Sequence, residues 1–537
     1  MPSGRRQFLV FALFILICSL AIGTFNGGRA AAATAPDDGI NQSIKSFTKI
    51  YDLVEQNFAD PVKADKAVYD GAIPGMLHTL DPHSNFLDPK AYAEMQLEQR
   101  ARYYGVGMLV GTDAKGRTVV RYPFVGSPAI KAGLRAGDAI VEVDDKKTEG
   151  MAQTQVVDMI KGPRGTYVQL RVAREGLPQP LTMTLMRDEI PRPSVTQSFW
   201  LKPGIAYVNV TNFTDENTSK EMTDGLKKLG EKDIKGLVLD LRDNPGGALN
   251  QGIDVASHFL SKNQVVVSNR GRTQPNKNYT ARANGEGRDY PIVVLVNRRS
   301  ASAAEIVSGA LQDHDRAWIL GETTFGKGLV QNVFPLTENT ALVLTTMHYY
   351  TPSGRLIQRD YSNISFLDYY FNHTDQKNAS DVKMTDSGRT VYGGGGISPD
   401  EKFTAPRLNK FQIDVLLRSN VLFDFSAKFF GPKKDPSLPK GWEPPESLMN
   451  ELHQFMLDQK VQFTEADYTQ NHQWLKEQLK QQFYITAFNF DESDRVRIEQ
   501  DPEVTKAIES MPKAQELVER AKKMVVQRLT PQRAAAQ

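Results

Sequence analysis

The stretch PIVVLVNRRSASAAEIVSGALQD, Pro291 to Asp313, decides how the middle of this chain is read. Ile292 to Val296 form a short, continuous apolar run, the pattern of a strand buried on both faces. The run ends at Asn297, and Ser300-Ala301-Ser302-Ala303-Ala304-Glu305 then opens a helix expected from Ala303 to Gln312. A serine at such a strand-to-helix turn presents its hydroxyl at the edge of a sheet. Unpaired N–H groups and the positive end of the helix dipole there stabilise negative charge forming beside it. The same position suits a plain N-cap, the commoner use of a serine before a helix. Ser302 is a candidate nucleophile that needs a partner to be more than a cap.

The flanking segments give this unit a setting. Between about Gly204 and Thr346, apolar runs at Ile205 to Val210, Gly236 to Arg242 and Ala317 to Glu322 alternate with helical stretches around Glu221 to Leu229 and Leu249 to Leu260. Such alternation predicts an α/β core with largely parallel strands and crossover helices. From Tyr103 to about Arg187 short β-like runs are parted by Gly, Pro and Asp turns, with one helical piece at Gln153 to Gly162, so this part reads as a compact β-rich module. Apolar residues recur at helical spacing at Ile44, Phe47, Ile50, Tyr51, Val54 and Phe58, and the chain beyond Asn409 is helical and charge-laced. The expected division is 1–35, 36–102, 103–190, 191–408 and 409–537, a multidomain α+β protein, because 537 residues exceed what one core usually organises.

A serine nucleophile needs a base. The eight histidines, His78, His83, His258, His314, His348, His373, His453 and His472, lie in no recognisable catalytic pattern and form no H-E-x-x-H zinc site; they read as surface or packing residues. Lysine is the remaining candidate, and it acts as a base only when neutral. Bringing an amine from a pKa of about 10.4 to about 7 or 8 costs roughly 4 kcal/mol, so the site must be apolar and desolvated. Lys327 has such neighbours, Phe325 and Gly326 before it and Gly328, Leu329 and Val330 after it. GETTFGKG, Gly321 to Gly328, mimics a phosphate loop. Gly328, however, stands where that loop carries the Ser or Thr that binds magnesium, and Leu329 to Phe334 alternate as a strand instead of opening a helix. Nucleotide binding is set aside on that ground. The Gly-rich turn Arg242 to Gly247, after the apolar run Leu237 to Leu241, either brings backbone N–H groups close to a substrate carbonyl or is a plain turn.

Together LDLRDNPGG (Leu239 to Gly247), SASAAEI (Ser300 to Ile306), GETTFGKGLVQ (Gly321 to Gln331), YYTPSGRLIQ (Tyr349 to Gln358) and GGGGISPDE (Gly393 to Glu401) closely resemble the carboxy-terminal processing peptidases, or tail-specific proteases. The resemblance runs from about Ile44 to Asp400. It implies a serine endopeptidase with a Ser-Lys dyad on a ClpP/crotonase-like protease core. By position it implies Ser302 as nucleophile, Lys327 as general base, Gln331 as the residue that orients the lysine, and the N–H groups of Gly247 and Ala303 as oxyanion donors. Glu305 and Asp313 fall at supporting positions. No cofactor and no metal are implied. Ala304 departs from relatives that carry a further serine there, without touching the dyad.

Tyr104-Gly105-Val106-Gly107-Met108 fits the G-Φ-G-Φ loop of PDZ domains, whose N–H groups capture a C-terminal carboxylate while the peptide adds a strand to the sheet edge. Gly126 to Ala129, Ala132 to Asp138 and Lys161 to Gly165 also resemble the PDZ modules of this protease family. The resemblance implies that Gly105, Val106, Gly107 and Met108 bind peptide and that the partners are protein or peptide substrates with a free C-terminus. Two rivals remain in view. A non-catalytic PDZ-type binding protein has no use for Ser302 and Lys327 together, and an acyl-CoA enzyme of crotonase fold does not suit an exported chain.

A formal charge of +2, from 65 Lys and Arg against 63 Asp and Glu, leaves no nucleic-acid footprint. The one cysteine, Cys18, lies in the apolar run Phe8 to Phe25, so the folded part has no disulfide and no Cys-based metal site. That run follows Arg5 and Arg6 and precedes AAAATA, Ala30 to Ala35. It reads as an export signal or, at its length, a membrane anchor, the A-x-A choices favouring cleavage. The bulky Ile17 argues against a lipoprotein reading of Cys18. The working part is expected outside the cytoplasm, in the periplasm or cell envelope, and the apolar stripe from Ile44 to Phe58 predicts a homo-oligomer.

Overall fold

The computed structural model describes residues 38–99, 102–282, 288–362, 364–371, 378–431, 433 and 436–534. The export or anchor run Phe8 to Phe25 lies outside the described residues.

Strands Gly236–Asp240 and Ile292–Val296 are apolar along almost their whole length and are stable only where both faces are covered; every residue of both is buried. They lie side by side at the centre of a six-stranded sheet, in the order Val195–Lys202, Ile205–Val210, Gly236–Asp240, Ile292–Val296, Trp318–Gly321, Glu401–Lys402. The first pairing is antiparallel and the others are parallel. Helices Thr218–Lys228, Leu249–Ser257 and Ala303–Asp313 pack on one face through Met222, Ile253 and Val307 against Val208, Leu239 and Val294. The end of the chain covers the other face, where Val504, Ala507, Met511 and Ala514 meet Tyr207, Val238, Val293 and Leu320. Helices Pro502–Glu509 and Met511–Ala534 are thus part of this sheet's own packing.

An ion network fastens that packing to the end of the central strand. Arg242 Nη1 donates to Asp501 and Glu503 at 2.8 Å each and its Nη2 to Asp240 at 2.6 Å, while the Tyr207 hydroxyl donates to Asp240 at 2.7 Å. Burial pushes the Glu503 carboxyl up to about 7, against the pull of Arg242.

A second, antiparallel sheet shares the core through Val266, Val330, Met347 and Tyr349. In it the long strand Ala341–Tyr350 is flanked by Leu329–Pro335, by Asn85–Leu87 and by Val265–Gly271, which carries Lys277–Thr280 at its outer side. This pairing brings Asp81 to Ser84, just before Asn85, up to strand Ala341–Tyr350, the partner of the strand that follows Lys327.

The β-rich module is closed at its ends by the pairing of Arg102–Gly105 with Asp188–Pro191. Its antiparallel sheet runs Met108–Thr112, Thr118–Pro123, Ala139–Val143, Tyr167–Ala173, Leu181–Met186, around a core that includes Val106, Val120, Ile140, Val156 and Leu170. Strand Thr118–Pro123 docks on the C-terminal helices: the Tyr122 and Phe490 rings stack at 4.2 Å, and Arg121 donates to Asn420 at 2.9 Å with its guanidinium 4.3 Å from the Phe423 ring centre. Helix Asp38–Asn57 leaves Ile40, Ile44, Phe47, Ile50, Leu53 and Val54 exposed. Among the described residues no helix is long and apolar enough to cross a membrane.

Candidate active site

Ser302 immediately precedes helix Ala303–Asp313 and has φ +54° and ψ −115°. A non-glycine residue held there costs on the order of 1–3 kcal/mol, so the surroundings must impose it. They do. The Ser300 hydroxyl donates to the Leu241 carbonyl at 2.7 Å, Ala301 N–H to the Asn244 carbonyl at 2.9 Å, and Ser302 N–H to Glu305 Oε2 at 2.9 Å. The serine turn is thereby stitched to the Gly-rich turn of the neighbouring strand.

That approach requires glycine. A Cβ on Gly246 would stand 2.6 Å from Ser302 Cβ and 2.9 Å from Ala303 N, and one on Gly247, with φ +146°, would stand 2.3 Å from the Phe213 carbonyl carbon. Gly246 N–H donates to Asn244 Oδ1 at 2.8 Å. The N–H groups of Gly247 and Ala303 have no acceptor among the described residues. The sequence-expected oxyanion donors are thus two unpaired N–H groups beside the serine.

Lys327 is 0% exposed. Its Nζ donates to Gln331 Oε1 at 2.9 Å, and Gln331 Nε2 donates to the His83 carbonyl at 2.7 Å. A register shift between Val330 and Gln331 marks a bulge in the strand at the point where Gln331 is aimed at the lysine.

Glu305 joins the two halves. It is 0% exposed in the first turn of the helix. Its Oε1 accepts the Thr324 hydroxyl at 2.5 Å and Gly326 N–H at 2.7 Å; its Oε2 accepts Ser302 N–H and Lys327 N–H at 2.9 Å each. Four donors fill the four lone-pair directions of one carboxylate. Burial pushes the carboxyl up to about 7, with the Thr324 hydroxyl and the backbone donors pulling it back. The Tyr349 hydroxyl adds a second tie, bonding the Ser302 carbonyl at 3.1 Å and also the Lys327 carbonyl.

The structure thus brings Ser302, Ala303, Gly247, Lys327, Gln331 and Glu305 into one connected cluster, and it leaves Asp313 out. Asp313 ends the 11-residue helix that Ser302 begins, about 16 Å away at 1.5 Å per residue. There it forms a buried 2.7 Å ion pair with Arg355 and accepts Ser353 N–H at 2.9 Å, so its work is to hold the turn after Tyr350. Gly105 to Met108 lie in the β-rich module. The Val106 carbonyl accepts Ala129 N–H at 2.8 Å, a Cβ on Gly107 would stand 2.4 Å from Ser127 Cβ, and Met108 opens the edge strand Met108–Thr112. His83, read from sequence as a surface or packing residue, is packed, with its ring buried against Tyr369 and Tyr370, and its backbone carbonyl is in addition the acceptor for Gln331. Its only local signal was the short polar turn Asp81-Pro82-His83-Ser84, and its contact partner is 248 residues away.

The sequence matches peptidase family S41 over residues 204–363, a PDZ domain over 119–174 and the N-terminal domain of the activating protease CtpB over 26–91. A carboxy-terminal-processing protease of Bartonella bacilliformis is 39% identical over 322 residues, covering 59% of this chain and 73% of that protein. The carboxy-terminal processing protease CtpB of Bacillus subtilis is 32% identical over 334 residues, 62% of this chain and 69% of that protein. A solved photosystem II D1 C-terminal processing protease is 27% identical and covers 75% of this chain and 94% of its own, with a TM-score of 0.36. The S41 match falls on the serine turn, the Gly-rich turn and the lysine loop described above, and the PDZ match on the β-rich module; the chain belongs to the carboxy-terminal processing proteases of peptidase family S41 and is a serine peptidase carrying a PDZ domain.

Proposed function

We propose that Ser302 and Lys327 form a catalytic dyad that cleaves protein chains near C-termini read by the PDZ domain. The observation that carries this reading is the complete burial of Lys327 beside the serine turn, since burial disfavours the ammonium form and leaves the amine that a general base must be. Neutral Nζ takes the proton of Ser302 Oγ as the oxygen attacks the peptide carbonyl. The tetrahedral oxyanion accepts the N–H groups of Gly247 and Ala303, assisted by the helix N-terminus. Nζ then gives its proton to the departing amine as the C–N bond breaks, and the acyl-enzyme is released by a water that the same Nζ deprotonates. Gln331 holds the amine in direction throughout.

Substrate selection follows from the edge strand Met108–Thr112 and the loop Gly105 to Met108, whose N–H groups take the terminal carboxylate while the peptide extends the sheet. The parallel centre and its helical cover support a ClpP/crotonase-like core. The apolar run Phe8 to Phe25 supports work outside the cytoplasm, in the periplasm or cell envelope.

The pH profile tests the base. Glu305 must be ionised to hold its four donors, and its carboxyl titrates near 7; an amine base titrates above a histidine of ordinary pKa, about 6.5. kcat/KM for a peptide is expected to rise with pH and to keep rising past pH 7. A profile already flat at pH 6.5, with the fold intact, overturns the lysine base.

Self-association is expected through helix Asp38–Asn57, whose apolar stripe is left exposed among the described residues. Light scattering of the protein lacking residues 1–35 should give a dimer or larger, and Phe47→Glu, in the middle of the stripe, should shift it towards monomer. A monomer at every concentration rejects this assembly.

A further inference from the structure

The hydrogen bonds around Lys327 close into a ring. Lys327 Nζ donates to Gln331 Oε1, and Gln331 Nε2 to the His83 carbonyl. His83 Nε2 meets the Tyr369 hydroxyl at 3.0 Å, the Tyr369 oxygen accepts Gln358 Nε2 at 3.1 Å, and Gln358 Oε1 accepts the N–H of Gly328 at 2.8 Å, next to Lys327 itself. His83 comes from the N-terminal part of the chain, whereas the other members all lie between residues 327 and 369.

His83 is itself fixed from several sides. Its ring is 0% exposed, and its Nδ1 meets the Tyr370 hydroxyl at 3.1 Å. Asp81 Oδ1 accepts the N–H groups of His83 at 2.7 Å and Ser84 at 2.8 Å, and the Ser84 oxygen accepts Thr345 N–H at 3.1 Å from the strand beside Gln331. Burial, with the charge of Arg359 adding to it, holds the imidazole well below its ordinary pKa, so the ring is neutral, with one donor and one acceptor nitrogen. One assignment satisfies the whole set: Tyr370 donates to the Pro82 carbonyl at 3.2 Å and accepts Nδ1–H, while Tyr369 donates to Nε2. The titratable groups facing this ring are the Lys327 amine, Arg359 over Tyr369 at 4.6 Å, and Asp81.

A carbonyl oxygen only accepts, so the Gln331 amide must turn its NH2 towards His83 and its Oε1 towards Lys327. That polarity matters to a neutral amine. Facing Oε1, Nζ donates a hydrogen and keeps its lone pair for the serine proton; facing an NH2, it would accept and the lone pair would be occupied. We propose that His83 is a positioning residue for the base: its carbonyl, held by the two tyrosines and Asp81, sets the polarity of Gln331 and so keeps the Lys327 lone pair available to Ser302. The inference rests on Lys327 being the base.

His83→Phe keeps a ring in the cavity and deletes both tyrosine bonds. It is expected to lower kcat by about tenfold to a hundredfold, the scale of a small misplacement of a reacting group, with KM changed by less than about twofold and the rising limb of the pH profile displaced. In a Gln331→Leu background, where no amide remains to be polarised, the same substitution should cost nothing further, whereas a merely structural role would add its own loss. A folded His83→Phe with kcat within about twofold of wild type, or with losses that add to those of Gln331→Leu, overturns the proposal. If His83→Phe does not fold, Tyr369→Phe and Tyr370→Phe, which remove one hydroxyl each, are read by the same criteria. Lys327→Ala measured alongside separates the two failures: if that variant stays active, the base assignment falls, and if it is dead while His83→Phe is unchanged, only the positioning role falls.

Discussion

Ser302→Ala and Lys327→Ala are each expected to lower kcat/KM by about 10⁴-fold or more, and the double variant no further, because nucleophile and base act in one step and their losses do not add. The measurement is cleavage of a fluorogenic peptide, with a thermal melt to show that the fold survives. Ser302 is nearly buried at 7% exposure and loses only an oxygen, so its variant should fold. Lys327→Ala leaves a buried cavity beside Gln331, and Lys327→Met, which fills it without an amine, should be as inactive while folding better. Lys327→Arg should also be dead, since a guanidinium is not deprotonated in proteins and brings a wider head group into a closed site. Either single variant retaining activity near wild type would sink the dyad.

The parts of this site that depend on local pattern were legible in the sequence. The apolar run Ile292 to Val296, its stop at Asn297 and the small residues opening the next helix place Ser302 on a turn without reference to any distant residue. Lys327 stood out because Phe325, Leu329 and Val330 are the wrong company for a solvated lysine. What could not be read is where long-range contacts close. Nothing local distinguishes Glu305, with four donors from two segments, from Asp313, which faces an arginine at the other end of the same helix. Nor does the polar turn Asp81 to Ser84 announce that its backbone will meet Gln331. The C-terminal helices look like any amphipathic helices, and only the bare face of the central sheet explains why Val504, Ala507 and Met511 are apolar.

Glu305→Gln is expected to be nearly as damaging to activity as a dyad variant, although it changes one oxygen to NH2 and touches no substrate. A carboxylate is the side chain that accepts at both ends and donates at neither, and here each oxygen receives two donors. Glutamine must turn its NH2 against one pair: against Ser302 and Lys327 N–H, or against Thr324 and Gly326. Either choice buries two donors without an acceptor, at about 1–3 kcal/mol each. The least costly escape is for the serine turn and the lysine loop to part, and a separation of about 1 Å between reacting groups costs on the order of 10²-fold in rate. Stability should respond to pH in the opposite sense from activity. The folded-state carboxyl is raised from 4.5 to about 7. Its contribution is therefore complete below about pH 4.5 and is lost as pH rises through about 7, a loss of about 3 kcal/mol that the glutamine variant does not undergo. Glu503, raised in the same way, acts equally in both proteins and cancels from the difference. Between pH 5 and 8 the wild type should gain activity while its melting advantage over Glu305→Gln shrinks. A variant within about tenfold of wild-type kcat/KM at pH 8, or a melting difference independent of pH, would mean that the carboxylate does not hold the two halves of the site together.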